Sequence, residues 1–258
     1  MKQKLSYISF VLIAIAAIVG LSFSGNEQRA MLCSGIDIHI QQGDDNHQFI
    51  TVDDVKHSIA KYIDSIQYKY VRSIAVFDIE QKLTNHPLIR SCNVFVDVHG
   101  QLKIDIEQRT PIIRIESMYD SFYIDEYGRL MPLSENYTAR TIVANGAITN
   151  GYRDKYNVLL QKDNQALLLK KLYVLAQKIQ NDSLLHPLIE QIYVKNESDF
   201  LLISKVGPPI IEIADIDNLE YKCKNLKAFY HSKKAREHWG QYHKISLKFK
   251  NQIICTKH

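Results

Sequence analysis

Three histidines near the end of the sequence are side chains of a type that could hold a metal ion. His231, His238 and His243 lie close together in the chain, and Cys255 follows them. Zinc sites use such ligands, but the spacings here do not fit a usual zinc pattern. We therefore favour exposed helix and loop histidines, and we predict no metal.

Two pairs of adjacent carboxylates could in principle serve as general acid and base. Asp44 and Asp45 lie in a polar turn, whereas Asp53 and Asp54 lie at the start of a helix, where carboxylates favour the helix dipole. The sequence contains none of the motifs GxSxG, HExxH, GxxxxGK or GxGxxG, and no nucleophile with a base stands out. General acid and base work by these pairs is therefore unsupported, and we predict no catalytic residues, no cofactor and no small-molecule substrate.

The composition indicates one or two globular domains rich in β structure. The 258 residues carry a formal net charge of +4, with 23% charged and 10% aromatic residues. Fifteen tyrosines against one tryptophan favour β structure, because tyrosine suits a half-buried strand face. The positive charge alone is too weak to indicate a nucleic-acid partner, and none is predicted.

The segment Leu5–Phe23 has no charged residue and is close to the roughly 20 residues that cross a bilayer. Lys2 and Lys4 precede it, which predicts a cytoplasmic N-terminus and a chain that otherwise lies outside the cytoplasm. A cleaved signal peptide is the alternative, but signal cores are usually only about 7–15 residues long. We expect a tail at 1–4, a transmembrane helix at 5–23 and a linker at 24–34.

Alternation and capping residues predict a small domain over residues 35–107. Gly35–Gln41 reads as a strand, Thr51 caps a helix with Asp54 in capping-box position, and Asp78 opens a second helix. Cys92–Glu107 reads as a hairpin. The order β-α-α-β-β matches the POTRA module, an α+β polypeptide-binding fold with one open sheet edge.

The sequence pattern of residues 108–258 predicts a second, mainly antiparallel β domain with flanking helices. Its first strand follows Pro111, a hairpin turns at Gly128, and another strand ends at Gly146. A helix is expected from about Asn164 to Gln180, and Asp217 is expected to cap another.

The last strands form a basic region whose use the sequence leaves open. Ile245, Leu247 and Phe249 alternate with lysines, which would guard an exposed sheet edge against pairing. Ile253 and Ile254 would instead suit docking of a partner strand. The region's lysines fit equally a solvated face and an acidic partner.

The four cysteines form no CxxC pair. Outside the cytoplasm a disulfide is an open alternative. We favour buried small apolar residues, because Cys92 and Cys223 occupy apolar positions of their elements.

The motifs around the start of the second domain, in their order after the anchor and the POTRA module, resemble those of the FtsQ/DivIB family. The first motif is an acid-Arg-x-Pro element, formed by Glu107, Arg109 and Pro111. The second is a hairpin with an Asp-x-x-Gly turn, formed by Ile124, Asp125, Gly128, Leu130 and Pro132. The third is a strand that ends in glycine, residues 142–146. The resemblance covers nearly the whole chain. It assigns structural, interdomain roles to Arg109, Pro111, Asp125, Gly128, Pro132 and Gly146.

The resemblance implies a non-enzymatic scaffold of the bacterial divisome. It implies a single-pass protein of the inner membrane at the division septum, with most of the chain in the periplasm and with FtsB-like, FtsL-like and other division proteins as partners. Partner binding is expected on the last strands, at Tyr242, Lys244, Ile245, Leu247, Phe249, Ile253 and Ile254. Two alternatives are another POTRA-containing envelope assembly protein and, less favoured, a membrane-anchored hydrolase.

Overall fold

The computed structural model describes residues 31–41, 48–63, 66, 69–207 and 209–257, together with Ile13 and Ile15. The chain divides into two compact units, residues 1–42 with 50–108 and residues 43–49 with 109–258. Among the described residues, no helix has both the length and the apolar character needed to cross a bilayer. The predicted transmembrane segment, residues 5–23, lies outside the described residues except for Ile13 and Ile15.

The first unit has the predicted strand order, but three helices follow its first strand instead of two, because the first predicted helix is divided at Ile59. Its elements are β1 (Gly35–Gln41), α1 (Val52–Ser58), α2 (Ala60–Ile63), a 3₁₀ turn (Val71–Ser73), α3 (Val76–Thr84), β2 (Ile89–Val96) and β3 (Gln101–Gln108). The sheet order is β1-β3-β2, with β1 parallel and β2 antiparallel to the central β3. Val55, Ile79 and Leu83 of the helices are fully buried in the same core cluster as Leu102 and Ile104 of β3.

The predicted capping residues of this unit are only partly right. Thr51 caps α1: its Oγ accepts from the Asp54 N–H, while the Asp54 carboxylate accepts from the Thr51 N–H at 2.8 Å. Asp78, however, does not open α3, which begins at Val76. Asp78 lies inside the first turn, where a carboxylate still favours the helix dipole without capping it.

The second unit contains one large sheet and its covering helices. Its strands are β4 (Pro111–Glu116), β5 (Ser121–Asp125), β6 (Leu130–Pro132), β7 (Ile142–Gly146), β8 (Ile189–Asn196), β9 (Asp199–Ser204), β10 (Ile210–Ala214), β11 (Tyr242–Ser246) and β12 (Ile254–Lys257). Its helices are α4 (Asn164–Gln180), α5 (Leu185–Leu188), α6 (Leu219–His231) and α7 (Lys233–His238), followed by a 3₁₀ turn at Trp239–Gln241. The α+β architecture is therefore confirmed.

The nine strands form a mixed sheet in the order β12-β11-β10-β9-β8-β7-β4-β5-β6. The pairs β4–β7, β7–β8 and β10–β11 are parallel, and the other neighbours are antiparallel. Most of the neighbouring strand pairs are thus antiparallel, but the parallel pairs were not predicted. Each of them needs a long connection, since a tight hairpin can join only antiparallel strands.

Helices α4 and α6 supply the apolar side chains that join the strands in one core. Leu172 of α4 and Leu226 of α6 are essentially inaccessible to solvent, and they belong to the same cluster as Ile115, Ile192 and Ile245 of the strands. The burial of a leucine-sized side chain stabilises the fold by about 1.5–3 kcal/mol. The core therefore runs beneath the sheet from β4 to β11 and holds β11 in place.

Candidate partner-binding site

The two edges of the nine-stranded sheet differ in what covers them. At the β6 edge, residues 156–158 run beside residues 128–130: Leu130 N donates to Tyr156 O at 2.9 Å, and Val158 N donates to Gly128 O at 2.8 Å. Pro132, at the end of β6, has no N–H to offer a partner. This edge is therefore closed by the chain itself.

The β12 edge is open within the described part of the chain. β12 pairs on one side with β11, with Ile245 opposite Cys255 and Ser246 opposite Ile254, and no described strand pairs with its other side. An edge strand in this state presents unpaired backbone groups that another chain can use.

The residues predicted to bind a partner do not form one surface. Tyr242, Ile245 and Leu247 are buried, and the latter two belong to the core of the unit. Phe249 and Ile254 are exposed, at 50% and 42% of their surface. The remaining two, Lys244 and Ile253, are half-buried. Only part of the predicted set can therefore contact another molecule through its side chains.

The predicted strand through Phe249 is wrong, because β11 ends at Ser246. Leu247 N donates to Glu212 O at 2.8 Å, and the Leu247 side chain enters the core beyond the strand. Asn251 then takes a left-handed conformation with φ 62° in the segment that turns the chain into β12. A change of Leu247 to glutamate would disrupt the core, so it is no test of partner binding.

An ion-pair network fixes the last strands to the sheet. Lys248 Nζ lies 3.0 Å from both Asp199 Oδ2 and Glu212 Oε1, and Lys244 Nζ lies 3.5 Å from Glu212 Oε2. Burial by itself would raise the pKa of Glu212, but the hydrogen bonds from Lys248 and Ser246 and the charges of Lys248 and Lys244 together outweigh it, so the pKa is lowered. Hydrogen bonds to Asp199 and Glu212 raise the pKa of Lys248. Part of the basic region therefore neutralises acids of this same unit.

The Glu212→Gln variant is expected to lose about 1–2 kcal/mol of stability at pH 7. Because the pKa of Glu212 in the folded protein lies below its ordinary value of 4.5, its contribution is complete above that pH and is lost as pH falls through the folded pKa. Urea denaturation at pH 7 and pH 3 measures this: the difference between wild type and variant should shrink at the lower pH. A difference that is the same at both pH values would contradict the assignment.

A cavity of about 460 Å³ lies between the start of α6 and residues 247–252, the segment that leads into β12. Tyr221 and Phe249 give it apolar surface, and Tyr221 Oη donates to Asn251 Oδ1 at 2.6 Å. Lys222 Nζ donates to the carbonyl oxygens of Ile213 and Asp215, and burial lowers the pKa of Lys222. Lys250, which also lines the cavity, is exposed. Asp215 and Asp217 line the cavity as well, so both signs of charge surround its apolar surface. The cavity can thus accept an apolar side chain close to Lys250, a feature that sequence alternation gave no means of finding.

The six residues predicted to be structural occupy turns, strand ends and a buried ion pair. Arg109 Nη1 lies 2.7 Å from Asp125 Oδ2, with both side chains buried. Gly128 has φ 78° at the β5–β6 turn and Gly146 has φ 103° at the end of β7. Pro111 begins β4 and Pro132 ends β6. All of these contacts lie within the second unit, so a role between the domains stays a prediction.

Within the part of the chain that the structure describes, the candidate chemical groups of the sequence are not brought together. No group of three or more His, Cys, Asp or Glu residues among those described could hold a metal ion. Asp54 serves as a capping residue and Asp53 lies 3.8 Å from Lys56, while Asp44 and Asp45 lie outside the described residues. The side chain of His238 is likewise outside the part of the chain that the structure describes.

The cysteines are free thiols in apolar surroundings. Cys33 and Cys223 are buried, and Cys92 and Cys255 are half-buried. Burial raises the pKa of Cys223 to about 11, and burial together with the charge of Glu80 raises the pKa of Cys92 to about 12. Because the thiolate is the reactive form, both are poor nucleophiles.

Two family models match the chain. Residues 31–107 match a POTRA-like domain, and residues 110–256, more than half of the chain, match the model described as FtsQ/DivIB, C-terminal related. No curated protein matches the chain at a significant level.

The fold and the open edge define a two-unit α+β protein in which a POTRA-like unit precedes a large sheet suited to protein contacts. The chain belongs to the FtsQ/DivIB family of non-enzymatic cell-division proteins.

Proposed function

We propose that this chain is a membrane-anchored scaffold of the bacterial divisome that binds FtsB-like and FtsL-like proteins by strand addition at β12. The observation that carries the proposal is the contrast between the two sheet edges. The β6 edge is closed by residues 156–158, whereas the outer side of β12 has no described strand beside it. Backbone pairing supplies affinity in this mode, and neighbouring side-chain pockets supply specificity.

The cavity beside β12 supports the same proposal. A partner that adds a strand at β12 can place an apolar side chain between Tyr221 and Phe249, with an acidic neighbour close to exposed Lys250. In this proposal residues 5–23 are the anchor, both units lie in the periplasm, and the protein acts at the septum. The partner thus contacts the β12 backbone and the side chains of Phe249 and Ile254, and not all seven residues that the sequence predicted.

Photo-crosslinking tests the site directly. A photoreactive amino acid at Ile254 or Phe249 of the full-length chain is expected to give an adduct with a co-expressed FtsB-like protein. The matched control is Val206, which is 68% exposed in the β9–β10 turn and should give none. Adducts from Val206 alone, or from no position, would contradict docking at β12.

A substitution measures the size of the effect. Ile254→Lys is expected to weaken binding of the same partner about tenfold, the equivalent of about 1.4 kcal/mol, because it removes an apolar contact at the added strand. Val206→Lys should leave the affinity unchanged. Circular dichroism of both variants confirms that the fold is intact, so equal affinity of Ile254→Lys and wild type would argue against this contact.

A further inference from the structure

A second cavity, of about 360 Å³, lies in the second unit at the starts of three neighbouring strands. β4, β7 and β8 are parallel neighbours, so their amino ends meet at one end of the sheet. Their first residues, Pro111, Ile142 and Ile189, all line the cavity. The strand starts thus give it apolar surface, and its volume lies at the lower end of the range for ligand pockets, about 300–1,000 Å³.

Two cations on the rim of this cavity form no ion pair with a described residue. Arg140, just before β7, and Lys205, just after β9, both line the cavity and are exposed. Neither forms an ion pair within the described ranges of the chain. Several lysines of this unit differ, each lying within 4.0 Å of a carboxylate, namely Lys171, Lys178, Lys227, Lys244 and Lys248. Arg140 and Lys205 are therefore available to an external anion.

The other charged groups of the cavity limit which anion it can bind. Glu190 also lines it and has no ion pair among the described residues, so Arg140, Lys205 and Glu190 together carry one net positive charge.

We infer that this cavity binds a single carboxylate carried next to an aliphatic side chain, as a short peptide segment presents it. One net positive charge balances one carboxylate, whereas Glu190 would repel the second charge of a phosphate dianion. Arg140 and Lys205 hold the carboxylate, and Pro111, Ile142 and Ile189 contact the aliphatic group. The site shares no lining residue with the cavity beside β12, so the inference stands independently of the proposed function.

Ligand-observed NMR titration of the full-length chain tests the inference. N-acetyl-leucine carries the carboxylate and the aliphatic group, N-acetyl-leucinamide lacks the charge, and inorganic phosphate lacks the aliphatic group. N-acetyl-leucine is expected to bind, and the other two to bind at least about tenfold more weakly. The peptide acetyl-Leu-Glu-amide distinguishes a side-chain carboxylate from a C-terminal one, because it carries only the former.

Variants locate the binding on the protein. The double change Arg140→Gln with Lys205→Gln is expected to weaken N-acetyl-leucine binding at least about tenfold, and Glu190→Gln should strengthen it about threefold. The matched control is Lys170→Gln, an exposed lysine of α4 that does not line the cavity, and it should change nothing. The inference is overturned if N-acetyl-leucine does not bind, if N-acetyl-leucinamide binds equally well, or if phosphate binds more tightly. It is also overturned if the double variant binds N-acetyl-leucine as tightly as wild type.

Discussion

Replacing Asp125 with alanine is expected to lower the free energy of unfolding by about 3–5 kcal/mol. The Asp125 side chain is 1% exposed and that of Arg109 is 7% exposed, so the change leaves a buried guanidinium without its counter-ion. The carboxylate also accepts hydrogen bonds from the N–H groups of Tyr127 and Arg129, at 2.9 and 2.8 Å, which fix the β5–β6 turn. One substitution therefore removes an ion pair and two turn contacts together.

Urea denaturation of the full-length chain, followed by circular dichroism, measures this loss. Asp217→Ala is the matched control, because Asp217 is exposed and its loss should cost no more than about 0.5 kcal/mol. The double change Arg109→Met with Asp125→Ala should be no less stable than Asp125→Ala alone, since it also removes the unpaired charge. A loss below 1 kcal/mol for Asp125→Ala would show that the pair is not needed for the fold.

The second large effect is expected at Gly146, where alanine should cost about 3 kcal/mol or more. Gly146 has φ 103°, and a Cβ atom there would lie 2.3 Å from the carbonyl oxygen of Val194 on the paired strand β8. Backbone atoms cannot move aside as a side chain would, so the β7–β8 pairing must shift.

Gly207→Ala separates the two causes of that cost. Gly207 also has positive φ, 84°, but no atom of the described residues lies within 4 Å of the position where its Cβ would be. Alanine there should cost only the left-handed conformation, about 1–2 kcal/mol. Thermal unfolding of the two variants compares them directly. Equal melting temperatures would mean that contact with Val194 adds nothing to the strain at Gly146.

The sequence predicted the first unit well because its signals are local. Alternation over β1, β2 and β3 and the Thr51 capping box each depend on residues close in the chain. The same reasoning failed at α6, where Asn218, with φ 54°, and not Asp217 precedes the helix. Either residue type can cap a helix, and only the path of the chain from β10 decides between them.

The parallel strand pairs of the second unit could not be predicted from alternation. Alternation identifies which face of a strand is buried, but it says nothing of the strand's neighbour or direction. Contacts distant in sequence were missed for the same reason. Phe49 is fully buried with its ring centroid 5.2 Å from that of Tyr137 and 6.0 Å from that of Tyr123, and no pattern around it indicates those partners.

The position of the last strands at a sheet edge was predicted, but their details were not. The expectation that β12 and its neighbours lie at a sheet edge came from alternation and from the family resemblance. The sequence did not show that Leu247 leaves the strand for the core while Lys248 reaches Asp199 and Glu212. Both depend on acids and apolar residues of β9 and β10, some 35–50 residues earlier in the chain.

β7 lies between two antiparallel groups of strands, and this position affects how the large sheet unfolds locally. On one side of it lie β4, β5 and β6, joined to each other antiparallel, and on the other lie β8, β9 and β10, also antiparallel. These two groups meet within the sheet only through the five residues of β7. Native proteins often open in contiguous cooperative segments. Amide hydrogen exchange in this sheet should therefore show two cooperative blocks, with the β7 amides exchanging together with whichever block opens more easily.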